Sequence, residues 1–212
     1  MSIRLFGPRV LLKYEKPKET SNIMLPDITG QHDLHRFGRV KFVGDGDYRD
    51  PLTKQQRHDD PLVKEGELVM FQINDVMRWA QVYRYLEDNM LHVLQGELIG
   101  RINGESVNLD TFEILGNFVL VKPELRKTDC AIIRPDTIAR TTESVTYTVV
   151  QLGSLVNLPI EVGQEIIINH GRVNCIYIMT KKSGINPPEY KQVEYGYVFK
   201  DFVHGMVEAA GA

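Results

Sequence analysis

Cysteine is scarce in this sequence: Cys130 and Cys175 are the only two among 212 residues. Two thiols cannot build a multi-bridge disulfide framework or a four-cysteine zinc site. They suit a reducing compartment, and their spacing leaves their pairing open. Charge of one sign is not in excess either. Lys and Arg total 25 against 28 Asp and Glu, a formal charge of −3, which offers no overall basic balance for neutralising nucleic-acid phosphates. Long apolar runs are missing. Phe118–Val121 and Ile166–Ile168 fall far short of the roughly 18 residues that a membrane-spanning helix needs. Met1–Glu15 lacks the basic stretch and long apolar stretch of an export signal. From these absences we expect a soluble, cytoplasmic chain that contacts neither nucleic acid nor membrane.

Helical periodicity is scarce as well. Val76–Leu86, which holds the only tryptophan, Trp79, comes nearest to an apolar stripe, but its β-prone residues blur it. What the sequence does hold is short runs rich in Val, Ile, Leu, Phe and Tyr. Val10-Leu11-Leu12, Arg39–Val43, Glu67–Phe71, Val119-Leu120-Val121 and Glu165–Ile168 are such runs, and Gly44-Asp45-Gly46, Asn103-Gly104 and His170-Gly171 read as turns between strands. The expectation is an all-β protein built from small, partly open barrels or sandwiches.

The strands repeat. Gly7 and Gly116 stand 109 residues apart, and at that offset Val10 meets Val119, Leu11 meets Leu120, Lys13 meets Lys122, Glu15 meets Glu124, Pro26 meets Pro135 and Gly44 meets Gly153. Gly66 and Gly163 then match at 163 − 66 = 97, so the first copy carries 109 − 97 = 12 extra residues between its two glycines. Late in each copy, Glu97-Leu98-Ile99 matches Asp201-Phe202-Val203. Length alone allows one large domain or two of about 100 residues. The repeat favours two, over residues 1–110 and 111–212. The extra residues fall in Asp45–Glu65, a polar stretch that reads either as a solvated surface loop or as a projecting hairpin.

These residues also carry a resemblance. Ile3-Arg4-Leu5 followed by Arg9–Lys13, the tripeptide Ile23-Met24-Leu25 within Lys16–Arg36, Gly38–Gly46 and Val63–Phe71 follow one another much as in the GroES-like co-chaperonin family. The resemblance covers nearly all of the first copy and reaches the second mainly through the repeat. It implies two tandem GroES-like, OB-like barrels, with a mobile loop at about 16–36, a roof-like hairpin at about 45–65, a second loop at about 125–146 and no second roof hairpin. Family members assemble into a ring that caps a nucleotide-bound chaperonin. Their loops present an apolar tripeptide to it, and they catalyse no reaction themselves. Carried over here, the chaperonin-binding residues are Ile23, Met24 and Leu25, with Ile132 and Ile133 in the second copy, where Arg134 takes the third position. A long polar segment with a short apolar tip fits that use: ordering it on binding opposes the gain, and a ring of such loops recovers affinity by multivalency.

An enzyme is the less favoured class. The same barrel occurs in zinc-dependent alcohol dehydrogenases, but Gly44-Asp45-Gly46-Asp47-Tyr48-Arg49 lacks the third glycine of a dinucleotide turn and puts an acid where phosphate would sit. The two cysteines do not supply a catalytic zinc site. His32 with His35, and His58-Asp59-Asp60, read as solvated groups, and neither a nucleophile elbow nor a His-Glu-x-x-His motif occurs. Tyr190, Tyr195 and Tyr197 read as strand. No cofactor and no metal are expected. The alternative to a cap is a structural assembly protein that reuses the barrel, such as a phage capsid decoration or neck component, found in virions rather than free in the host cytoplasm.

Overall fold

The computed structural model describes residues 4–15, 35–50, 52–72, 90–104, 108–126, 144–168, 172–181 and 190–207. Strands dominate them. They are β1 (Arg9–Tyr14), β2 (His35–Val43), β3 (Asp47–Arg49), β4 (Gln56–His58), β5 (Leu68–Gln72), β6 (Met90–Leu94), β7 (Leu98–Ile102), β8 (Phe112–Ile114), β9 (Phe118–Arg126), β10 (Ser144–Leu152), β11 (Glu165–Ile168), β12 (Asn174–Lys181), β13 (Tyr190–Phe199) and β14 (Val203–Met206). Helix among these residues is confined to 3-10 turns, at Gln95–Glu97 and Lys200–Phe202 and at Arg172. No described helix is long and apolar enough to cross a membrane. The all-β expectation is met. The strands form two six-stranded sheets, neither of them closed into a barrel, and one two-stranded hairpin. The Val76–Leu86 stretch with Trp79, and the His170-Gly171 turn, lie outside the described residues.

The first sheet runs β6-β1-β2-β5-β7-β8 and the second β12-β13-β9-β10-β11-β14. All pairings are antiparallel. Five strands correspond in order, with β13-β9-β10-β11-β14 standing for β6-β1-β2-β5-β7. The hydrogen bonds repeat in detail. Gly44 N–H donates to Arg9 O at 2.8 Å and Gly153 N–H to Phe118 O at 2.9 Å; Gly66 N–H donates to Val40 O at 2.9 Å and Gly163 N–H to Val149 O at 2.8 Å. Gly66 and Gly163 both adopt φ +89°, a left-handed conformation that glycine takes without strain.

One alignment needs correction. The 3-10 turns anchor alike, Gln95 N–H on Pro8 O and Lys200 N–H on Asn117 O, each at 2.9 Å, so the final segments match at 200 − 95 = 105. The sequence match of Glu97 with Asp201 sets them one residue off. Two acidic residues next to apolar ones made that match, whereas the anchor that both turns share is a backbone bond; Glu97 adds a bond of its own, accepting the Leu94 N–H at 2.8 Å, and its true counterpart is Phe202.

Three apolar clusters hold the sheets. Val10, Leu12, Val40, Val69 and Phe71 pack within the first sheet's cluster, and Val119, Val121, Val149, Ile166 and Val198 within the second's. The third lies between the copies and joins Phe37, Met70, Ile99 and Ile102 to Leu120, Ile176, Ile178, Tyr195 and Tyr197. Side chains alternate along a strand. Leu68 and Met70 therefore face the shared cluster while Val69 and Phe71 face the first copy's own. Burial on both faces is why Glu67–Phe71 reads as a continuous apolar run rather than an alternating one. Tyr195 and Tyr197 are buried on β13.

Candidate functional site

The Asp45–Glu65 stretch holds the hairpin. β3 pairs with β4 through Asp47↔His58, Tyr48↔Arg57 and Arg49↔Gln56. Its base is set by Asp45, whose carboxylate accepts the Gly7 N–H at 2.9 Å and the Asp47 N–H at 3.2 Å. The acid that argued against a phosphate turn is thus bound to the chain's own backbone. Its tip is an Asp50-capped turn. Asp50 accepts the N–H groups of Leu52 and Thr53, Lys54 sits at φ 60°, and Leu52 stands almost fully exposed at the end. His58 lies between two carboxylates, with Nδ1 at 2.7 Å from Asp47 and Nε2 at 3.3 Å from Asp60. Those hydrogen bonds, Asp47's first, raise the pKa of His58.

The proposed anchor residues Ile23, Met24, Leu25, Ile132 and Ile133 lie outside the described residues, as do His32, Cys130 and Arg134. The strands that flank the first of these segments are described. β1 ends and β2 begins side by side, with Tyr14 opposite Gly38 and Glu15 N–H donating to Phe37 O at 3.1 Å. His35, read from sequence as loop, already pairs with Gln72 as the first residue of β2. An ion pair closes the mouth. Arg39 donates from Nε to Glu15 Oε2 at 2.7 Å and from Nη2 to Oε1 at 2.5 Å, and from Nη1 to Gly66 O at 2.8 Å. The Arg39 hydrogen bond holds the Glu15 carboxyl below its ordinary pKa. At offset 109, Glu15 becomes Glu124 and Arg39 becomes Thr148. Glu124 instead meets Lys122 at 3.2 Å, so this clamp belongs to the first copy alone. Reading motif by motif missed it. The available signal was Arg39 on β2, which has no charged counterpart in the repeat, where Thr148 stands.

A cleft of about 810 Å³ opens where the hairpin base meets both sheets, lined among others by His58, Leu62, Gln95, Arg101, Glu113 and Phe118. Gln95 is buried there. Its Oε1 accepts the Leu62 N–H at 2.7 Å, and its Nε2 has no hydrogen-bond partner among the described residues. Cys175 carries a free, exposed thiol, and partial burial with Glu194 nearby raises its pKa, the opposite of an activated nucleophile. Among the described residues no group of three or more His, Cys, Asp or Glu side chains could hold a metal.

No protein-family model matches this chain, and no curated protein matches it.

Proposed function

We propose that this chain is a co-chaperonin: a ring-forming cap for an ATP-dependent chaperonin that assists protein folding, works in the cytoplasm and presents Ile23, Met24 and Leu25 as its principal anchor. The observation that supports the reading best is the mouth formed by Glu15, Phe37 and Arg39. It fixes both ends of the 16–34 segment at one place on a rigid sheet. A polar segment tethered in this way can carry a short apolar tip to a groove on a partner. The single β3–β4 hairpin would supply the roof, one per chain. The second copy's Ile132 and Ile133 would add a weaker contact. The test is binding to a purified chaperonin ring with and without ATP. Nucleotide-dependent binding that Ile23→Asp removes supports the reading; no binding in either state, or no effect of Ile23→Asp, overturns it.

The structural-assembly alternative draws on a different observation, the exposed apolar edge of β14, which suits any higher-order assembly. Fixed stoichiometry in purified virus particles, without chaperonin binding, would decide for it.

A further inference from the structure

The hairpin returns to the first sheet through Asp59–Leu62, and a side-chain amide holds it there. Gln95, on the 3-10 turn after β6, accepts the Leu62 N–H on Oε1 at 2.7 Å. That bond fixes which end of the amide is oxygen, so the other end, Nε2, is a donor. Gln95 is only 3% exposed, and its Nε2 has no hydrogen-bond partner among the described residues.

Two comparisons within the chain set this group apart. Gln151 makes the same first bond, accepting the Ile114 N–H on Oε1 at 3.0 Å, but its Nε2 also donates, to Phe112 O at 2.9 Å. Both halves of that amide are used. The second copy has Lys200 where the first has Gln95, at the offset of 105 that the 3-10 turns set. Lys200 Nζ donates to Leu155 O at 3.1 Å and lies 3.3 Å from Asn157 Oδ1. Of the three, Gln95 alone keeps a donor unmet. Buried donors are nearly always paired, so an unpaired one calls for a reason.

The surroundings supply one. Gln95 lines the cleft of about 810 Å³ at the hairpin base, a size that small-molecule sites commonly have. Much of the wall is apolar, from Leu62, Leu94, Leu98, Leu115, Phe118 and Leu155. The cations that line it are already engaged: Arg101 with Glu113 and Glu67, and His58 with Asp47 and Asp60. Asp59, Asp60 and Glu113 outnumber Arg101 and His58 in the lining. An anion would enter against that balance and meet no free cation. An ammonium or guanidinium group would bring further donors to a nitrogen that needs an acceptor.

We propose that this cleft binds a small, uncharged, largely apolar molecule whose carbonyl oxygen accepts a hydrogen bond from Gln95 Nε2. The nitrogen is covered by its neighbours, so the molecule reaches it by parting the lining. Leu94 and Leu155 are 39% and 48% exposed, and exposed side chains change rotamer within nanoseconds. A carbonyl that meets the buried N–H recovers the desolvation that this group otherwise forfeits. The site is separate from the anchor residues, so it goes beyond the cap reading, and chaperonin binding neither supports nor opposes it.

The experiment follows the side-chain amide of Gln95 in proton–nitrogen correlation spectra of the full chain, with its signals assigned by their loss in Gln95→Glu. The probes are N-butylbenzamide, which is uncharged, and the para-butylbenzoate anion, which has similar apolar bulk. The benzamide is expected to move the Gln95 amide proton downfield in a saturable way and to bind at least about tenfold more tightly than the benzoate. Gln95→Glu keeps an oxygen for the Leu62 N–H but removes the donor, and should weaken benzamide binding by about tenfold. A carboxyl buried at position 95 also threatens the fold, so Leu155→Asp gives a second reading from an exposed position. It should leave circular dichroism unchanged and weaken the benzamide by a similar factor, because it sets a charge in the apolar wall. No movement of the Gln95 amide up to the solubility limit of the benzamide, equal binding of the benzoate, or binding that neither variant weakens overturns the proposal.

Discussion

Arg101 and Glu113 are joined by two hydrogen bonds, Nε to Oε2 and Nη2 to Oε1, each 2.8 Å long. They stitch β7 to β8, the place where one copy of the repeat passes into the next. Arg101 also reaches Glu67 at 3.4 Å, and Asn103 Nδ2 donates to Glu113 at 3.1 Å. Because 45% of the Glu113 side chain is exposed, solvent screens the pair, and Arg101→Ala is expected to cost only about 0.5–1 kcal/mol. Arg101→Lys keeps the charge but cannot form the two-pronged contact, so it should lose most of the same amount in urea unfolding.

The same pair sets an acid limb. The Arg101 hydrogen bond holds the Glu113 carboxyl below its ordinary value of 4.5. A folded-state pKa below the unfolded one gives stability that is present above pH 4.5 and lost as pH falls through the lowered value. Glu15, lowered first by its Arg39 hydrogen bond, acts in the same direction. Glu113→Gln and Glu15→Gln should each flatten the fall in melting temperature below pH 4.5, measured from pH 3 to 7.

Gly44 and Gly153 press against the carbonyl oxygens of Gly7 and Gly116, where a Cβ would collide with backbone. Gly44→Ala and Gly153→Ala should therefore each destabilise by about 1–3 kcal/mol, as other overpacked sites do. A Cβ on Gly96 would meet nothing within 4 Å, and the backbone there is not left-handed. Gly96→Ala should be neutral or stabilising by up to about 1 kcal/mol. Chemical denaturation of the three variants side by side checks this.

Met70 and Ile167 test the asymmetry of the shared cluster. Met70→Ala removes a fully buried side chain and should cost about 2–5 kcal/mol. Ile167→Ala removes a half-exposed side chain and should change stability by no more than about 0.5 kcal/mol. Thermal unfolding of the two reads the difference directly.

His58 should titrate above its ordinary value of 6.5. Its raised folded-state pKa means that its contribution to stability is present below pH 6.5 and lost as pH rises through the folded value. Its ring proton shifts, followed by NMR, should return towards 6.5 in Asp47→Asn, with a smaller change in Asp60→Asn, since Asp47 is the nearer partner.

How much of this could be read in advance differs from element to element. The strand runs were legible because Leu68–Phe71 of β5 and Val119–Val121 of β9 are buried on both faces and therefore apolar throughout. The glycine offsets of 109 and 97 were legible because each glycine meets a backbone requirement, a left-handed φ at Gly66 and Gly163 or a close carbonyl at Gly44 and Gly153, that no other residue satisfies cheaply. The 3-10 turns carried no such constraint, and there the alignment slipped by one. The Asp45–Glu65 stretch stayed ambiguous in sequence because its strands are three residues each and only Tyr48 among them is even half-buried, which leaves too little alternation to detect. The Arg39–Glu15 clamp was hidden for another reason. Its partners are 24 residues apart, and only strand pairing brings them together. The anchor candidates Ile23, Met24, Leu25, Ile132 and Ile133 rest on the resemblance alone.

That β8 completes the first sheet from within the same chain also has a consequence for dilution. The connection from Ile102 to Phe112 is short, so β7 meets β8 at an effective concentration on the order of millimolar, however little protein is present. That joint cannot be diluted away. The first sheet therefore keeps its sixth strand at any expression level.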